Sequence, residues 1–154
     1  MRWLRGRLAE DGGSAIVEFV FVAVIVLVPL VYLVVAVAGV QRSELAVAQA
    51  AREAGRAFAT SDRAELAPAR VRAAVRLAMA AQQLPDDAEL RFVAAGSSCS
   101  SAPITPALVA GAQFTVCVIR HARLPAIPSV LAGRGVTTVG QYVVHADDFR
   151  TVAP

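Results

Sequence analysis

The sequence contains no lysine and no asparagine, so apart from two histidines every basic side chain is arginine. This bias is typical of a GC-rich coding sequence and indicates no particular chemistry. The formal net charge is only +3, and no run of arginines alternates with aromatic residues after position 40, which gives a nucleic-acid-binding role little support. Signatures of a nucleophile elbow, a phosphate-binding glycine loop and a zinc protease are absent as well. We therefore predict a protein that is not an enzyme and that needs no cofactor.

Charge is also missing between Phe19 and Val40, where nearly every residue is aliphatic or aromatic. As a helix rising about 1.5 Å per residue, this segment is roughly 33 Å long, enough to cross a bilayer core of about 30 Å. Arg2, Arg5 and Arg7 precede it, and the positive-inside rule places that end in the cytoplasm. We expect a single-pass membrane protein whose C-terminal part is extracytoplasmic.

Cysteine and histidine are scarce, with two of each. In an exported domain the pair Cys99 and Cys117 suggests a disulfide, and two free buried thiols are the alternative. The sequence has no CxxC pair, so the cysteines do not indicate a metal site. His145 stands close to Asp147 and Asp148, but nothing completes a ligand set, so no metal is predicted.

Two helices are predicted in the first half of the chain. The first runs from Ser14 to about Ala59, and its outer half has small residues at every fourth position. That spacing either allows another helix to approach closely or reflects the abundance of alanine. Ser61 or Asp62 can cap the second helix, which is expected to end near Gln83. The apolar stripe predicted to bury this helix consists of Leu66, Ala69, Ala73, Leu77, Ala80 and Leu84.

The second half of the chain changes to a period of two, which is typical of strands. Strands are predicted at 89–93, 113–119 and 136–145, the second with one solvent-facing side, and long loops rich in serine, glycine and proline separate them. Because no helix intervenes, an antiparallel sheet is favoured. The predicted fold class is α+β: a long N-terminal transmembrane helix that extends outward, a second helix and a small three-stranded antiparallel sheet.

One acidic residue, Glu18, lies at the mouth of the apolar segment. An acid costs roughly 2.5–3.5 kcal/mol at the centre of a membrane helix and less near the interface, so a partner should offset the cost. Glu18 closes the motif GSAIVE at 13–18, and Phe19 follows. Behind a basic leader and ahead of an apolar helix, this motif resembles the class III signal of type IV pilin-like proteins. The form GSAIVEFVFV is most similar to the TadE-like pseudopilins of the tight-adherence (Flp) pilus system.

The resemblance implies that a prepilin peptidase in the membrane cuts between Gly13 and Ser14, or one residue earlier, because Gly12 precedes Gly13. Cleavage would leave a new ammonium on Ser14, one helical turn from Glu18. In related filaments this glutamate meets the ammonium of a neighbouring subunit, so subunit pairing is assigned to Glu18 together with Phe19. The implied partners are the prepilin peptidase, other pilins or pseudopilins and the pilus assembly platform.

The residue patterns and the implied cleavage after Gly13 together divide the chain into four regions. These are a cytoplasmic leader at 1–13, a transmembrane helix at 14–40, an extracytoplasmic helical region at 41–84 and a small β-rich extracytoplasmic region at 85–154. The extracytoplasmic part is much larger than in the tiny major pilins of this system. A pilin-like minor or accessory subunit, within a surface pilus or at its base, is therefore expected.

Two other functions remain open from the residues alone. The chain is a small secreted globular protein if a conventional signal peptide ends at Ala38, since the small residues at 36–38 fit such a cleavage site before Gly39. It is a binding domain of the cell envelope if its membrane anchor is never cleaved.

Overall fold

A computed structural model of the protein describes residues 11–122 and 135–149. Within these residues the elements are α1 (Asp11–Ala59), α2 (Ala67–Ala81), β1 (Glu89–Ala94), β2 (Gln113–Ala122) and β3 (Val136–His145). The predicted α+β fold, with a long apolar N-terminal helix, a second helix and a three-stranded antiparallel sheet, is confirmed. The arginines of the leader and nearly all of the predicted connection at 124–135 lie outside the described residues.

The chain divides between Ala38 and Gly39 into two compact units. The described part of the first unit is the beginning of α1. The second unit contains the end of α1 together with α2 and the sheet.

The sheet has the order β1-β2-β3, and both pairings are antiparallel. Glu89 pairs with Ile119 at one end of the first ladder, and Gln113 pairs with His145 at one end of the second. β3 has the predicted bounds, whereas β2 continues three residues beyond the predicted Ile119. β2 is thus the central strand, and β1 and β3 are the two edges.

The core of the second unit lies between one face of the sheet and the two helices. Three phenylalanines meet at its centre, Phe58 from α1, Phe92 from β1 and Phe114 from β2. The Phe58 and Phe114 ring centroids are 4.8 Å apart, and those of Phe92 and Phe114 are 5.8 Å apart, both in edge-to-face geometry. Such pairs stabilise by about 0.5–1.5 kcal/mol beyond their buried area. They join α1 to two strands of the sheet.

The regularly spaced small residues in the outer half of α1 face this core. Ala46, Ala50 and Ala54 are fully buried. A Cβ added at Gly55 would lie 2.6 Å from the ring of Tyr142, and a Cβ added at Gly140 would overlap the carbonyl of Val47. The predicted spacing does allow a close approach, but the neighbour is β3 of the same chain.

The apolar stripe predicted for α2 is wrong. The buried residues are instead Ala67, Val71, Val75, Ala78 and Met79. Leu77, which belongs to the predicted stripe, is 69% exposed. Arginines separate two apolar sectors on this alanine-rich helix, so hydrophobic spacing alone fits either one. The sector with the two valines and the methionine faces the core.

The capping prediction for α2 is also wrong. The Ser61 hydroxyl donates to the Ala57 carbonyl at 2.6 Å and so ends α1. Asp62 forms an ion pair with Arg70 at 3.4 Å. α2 begins only at Ala67, with Pro68 in its first turn and no side-chain cap. Proline suits that position because its φ is already helical and its missing N–H would have had no partner in the helix.

The face of β2 predicted to meet solvent is buried in its middle part, whereas Gln113 and His121 at its ends are exposed. Thr115 and Cys117 point away from the helices, yet both are shielded, because the chain between β1 and β2 folds over them. The Gly96 N–H donates to the Thr115 hydroxyl at 3.1 Å, and Cys99 forms a disulfide with Cys117. The predicted disulfide is confirmed, and its Cα atoms are 5.7 Å apart.

Replacing Cys99 and Cys117 by serine is expected to lower the free energy of unfolding by roughly 3 kcal/mol, because the bridge joins positions 18 residues apart and restricts the unfolded chain. Urea unfolding of the full chain in detergent micelles, followed by circular dichroism, measures the difference. A reductant should bring the wild type to the stability of the double variant and leave that variant unchanged. Equal stability of the oxidised wild type and the variant would contradict this role.

Candidate functional site

The part of α1 in the first unit is apolar on all sides. Its valine, leucine, isoleucine and phenylalanine side chains are exposed around the whole helix. The most apolar 18-residue window has a mean hydropathy of 3.2, and only 6% of it is buried. By length and composition the helix is able to cross a membrane. A helix on the surface of a soluble core would be apolar on one side only.

Glu18 is the exception in this segment. It is exposed, and no described residue forms an ion pair or hydrogen bond with it. It is also the one charged residue between Ala15 and Val40. Phe19, which follows it, is exposed as well.

The helix places the predicted cleavage and pairing residues close together. Gly13 and Ser14 belong to the first turns of α1, and Glu18 follows Ser14 by four residues. Residues four apart lie on the same face of a helix. A carboxylate in this position can bind a cation supplied by another chain. In an apolar environment, such a pair reduces the cost of the desolvated carboxylate.

A second chemically distinctive group is a charged side chain inside the second unit. Arg120 on β2 is only 7% exposed. Its Nε donates to Asp87 Oδ1 at 2.6 Å and its Nη2 to Oδ2 at 3.3 Å. Its Nη1 donates to the Ser43 hydroxyl at 3.2 Å. The guanidinium is therefore held by a carboxylate and by α1.

Two hydroxyl groups complete this network. The Thr138 hydroxyl donates to the Arg120 carbonyl at 3.2 Å, and it lies 2.8 Å from the Ser43 hydroxyl. Since the Thr138 hydrogen is used in this way, the Ser43 hydroxyl donates to Thr138. The network joins α1, β2 and β3 with its hydroxyl hydrogens used. Sequence reasoning missed it, because its members are scattered along the chain and form no motif.

The histidine at the end of β3 takes part in polar contacts with its neighbours. His145 Nε2 lies 3.5 Å from Asp148 Oδ1, and His145 Nδ1 lies 3.0 Å from Gln113 Nε2. Asp147 accepts a hydrogen bond from the Phe149 N–H at 3.0 Å. Within 11–122 and 135–149, no group of three or more histidine, cysteine, aspartate or glutamate side chains is placed to hold a metal ion.

Comparison with known proteins adds no relative: no protein-family model, no curated protein and no solved structure matches this chain.

Asp87→Asn is expected to lower the free energy of unfolding by about 1–3 kcal/mol, because Arg120 remains charged and buried without a carboxylate. The loss is smaller than for a fully buried pair, since the Asp87 side chain is 45% exposed and water screens the interaction. Asp86→Asn is the matched control, as this adjacent exposed carboxylate forms no ion pair with a described residue. Urea unfolding measures both variants, and equal losses would contradict the network's role.

Proposed function

We propose that the protein is a minor pseudopilin, an accessory subunit in the assembly of a tight-adherence (Flp) type IV pilus. The observation that supports this most is Glu18, an acid without a described partner near the start of a helix that is apolar on every side. The helix needs apolar surroundings, and the carboxylate of Glu18 needs a cation within them. An assembly of parallel apolar helices with free N-terminal ammonium groups offers both.

The proposed processing creates that cation. A prepilin peptidase cuts between Gly13 and Ser14, where glycine allows the catalytic groups of the peptidase to approach the backbone closely. The ammonium released on Ser14 then pairs with Glu18 of a neighbouring subunit. Phe19, exposed next to the acid, packs against the helices of that neighbour. The other partners are pilins or pseudopilins and the pilus assembly platform.

The second unit supports an extracytoplasmic location. The Cys99–Cys117 disulfide links the segment beyond β1 to the central strand β2. Disulfides persist in oxidising compartments. In the proposed arrangement the N-terminus lies in the cytoplasm, α1 crosses the cell membrane once, and the second unit lies outside. The subunit acts within the pilus or at its base.

A second candidate function is that of a secreted protein with a conventional signal peptide. One observation favours it: the compact second unit begins at Gly39, directly after the small residues that fit a signal-peptidase site. The two candidates differ in their mature N-terminus, and the processing experiment separates them.

Intact mass and N-terminal sequencing of the protein from its native host test the processing. We expect a chain that begins at Ser14. Gly13→Val should abolish the cut, because a β-branched side chain hinders the close approach, whereas the adjacent control Gly12→Ala should still be cut. A chain beginning at Gly39 would favour the secreted protein, and one beginning at Met1 an uncleaved anchor. Either result would overturn the proposal.

Glu18→Ala is expected to permit cleavage and to reduce the number of pili per cell by roughly tenfold or more, because the ammonium of the neighbouring subunit loses its counter-charge in an apolar setting. Electron microscopy counts the pili, and the intact mass confirms cleavage. Glu44→Ala is the matched control, an exposed glutamate on the same helix beyond the apolar segment. Normal pilus numbers with Glu18→Ala would refute the pairing.

A further inference from the structure

The two edges of the sheet differ in how they are protected against pairing with another strand. β1 has six residues, and two of them, Glu89 and Arg91, form an ion pair at 2.6 Å. The chain beyond β1 also returns to it, and the Ile104 N–H donates to the Phe92 carbonyl at 2.8 Å. Short length, charge and a covering segment are the usual means by which a sheet blocks an edge.

β3 has none of these protections among the described residues. It has ten residues, and its sequence VTTVGQYVVH contains no proline, arginine or carboxylate. In the described part of the chain only β2 pairs with it. Val139 and Val143 are 49% and 52% exposed, and Tyr142 is 42% exposed. A long, uncharged edge rich in β-branched residues is a template for an added strand.

A basic groove runs beside this same edge. Its volume is about 380 Å³, and it lies between the last turns of α1 and the end of β3. Arg52 and Arg56, four residues apart on α1, line it together with Tyr142 and His145. Glu53 lines it as well, so the helix contributes a net positive charge to the groove.

The two arginines are available to a ligand. Both are exposed, and neither forms an ion pair with a described residue, whereas Arg70, Arg91 and Arg120 each do. His145 already contacts Asp148 and Gln113. Gly55 lets the Tyr142 ring lie close to α1, and both residues line the groove.

We propose that β3 binds an extended acidic segment of another protein as a fourth strand of the sheet. The backbone of the segment pairs with the edge of β3 to which no described strand is bonded. Its side chains alternate between the two faces of the sheet, and those on the helix side reach Arg52 and Arg56. Carboxylates at these positions form charge-assisted hydrogen bonds with the guanidinium groups. Apolar side chains on the opposite face cover Val139 and Val143.

Charge complementarity selects this occupant over a second copy of β3. That strand carries no carboxylate and would leave both guanidinium groups without a partner. The segment is accordingly one with acids at alternate positions and β-branched residues between them. The proposal stands on the second unit alone and does not depend on the processing at Gly13.

The test uses two synthetic peptides, one of alternating valine and glutamate and one of alternating valine and lysine, with the full-length protein in detergent micelles. Isothermal titration calorimetry should show at least roughly tenfold tighter binding of the glutamate peptide. Hydrogen exchange should show slower exchange of β3 amides, with β1 amides unchanged, when that peptide is bound. Equal affinity for both peptides, or binding without protection of β3, would overturn the proposal.

A charge-reversal variant locates the contact. Arg52→Glu combined with Arg56→Glu should invert the preference, so that the lysine peptide binds more tightly. The matched control reverses Arg72 and Arg76 on α2, which are also exposed and unpaired among the described residues, and should leave the preference unchanged. An unchanged preference in the first variant would exclude the groove. Protection of β3 that rises with protein concentration and without peptide would identify a second copy as the occupant and refute the proposal.

Discussion

The second unit depends on how closely α1 approaches β3. A Cβ at Gly140 would overlap the backbone of Val47 on α1. A Cβ at Gly55 would likewise clash with the ring of Tyr142 on β3. Alanines fill the rest of this helix face. Dispersion attraction falls steeply with distance, so a close backbone contact compensates for the small area that alanine and glycine can bury. The phenylalanine cluster then fills the wider space toward β1.

The polar network formed by Arg120, Asp87, Ser43 and Thr138 makes this packing specific for one geometry. Hydrophobic contacts are not directional, and a helix rich in alanine fits a sheet in several positions. Few placements of α1 on the sheet are compatible with Arg120, because its guanidinium must lie within hydrogen-bonding distance of Asp87 and Ser43. An arrangement that left the guanidinium buried and unpaired would cost several kcal/mol. The network therefore favours one placement of the end of α1 on the sheet.

The first part of α1 follows a different rule. It buries almost nothing within the described chain, and its side chains are apolar in every direction. Such a helix is suited to surroundings of lipid or other apolar helices rather than water. Glu18 is the one charged residue in this apolar stretch, and the proposed function supplies it with a cation from a neighbouring subunit.

Sequence reasoning succeeded where local pattern and burial coincide. The alternation at Val136–His145 predicted β3 with its observed bounds, and the apolar run followed by an alanine-rich stretch without proline predicted the long first helix. The pairing of the two cysteines also followed from the sequence, through the expectation of an exported domain. These features depend on residues close in the chain or on composition, and a one-dimensional pattern contains that information.

The remaining features were decided by tertiary structure. Either sector of α2 satisfies helical spacing, and only the shape of the core selects Val71 and Val75 over Leu77. The pattern of β2 predicts a strand with one solvent-exposed face, yet the segment beyond β1 covers the middle of that face. The Arg120 network joins positions far apart in the sequence. Local sequence determines which elements form, whereas the contacts between distant elements determine which of their faces are buried, since burial is a property of the assembled core.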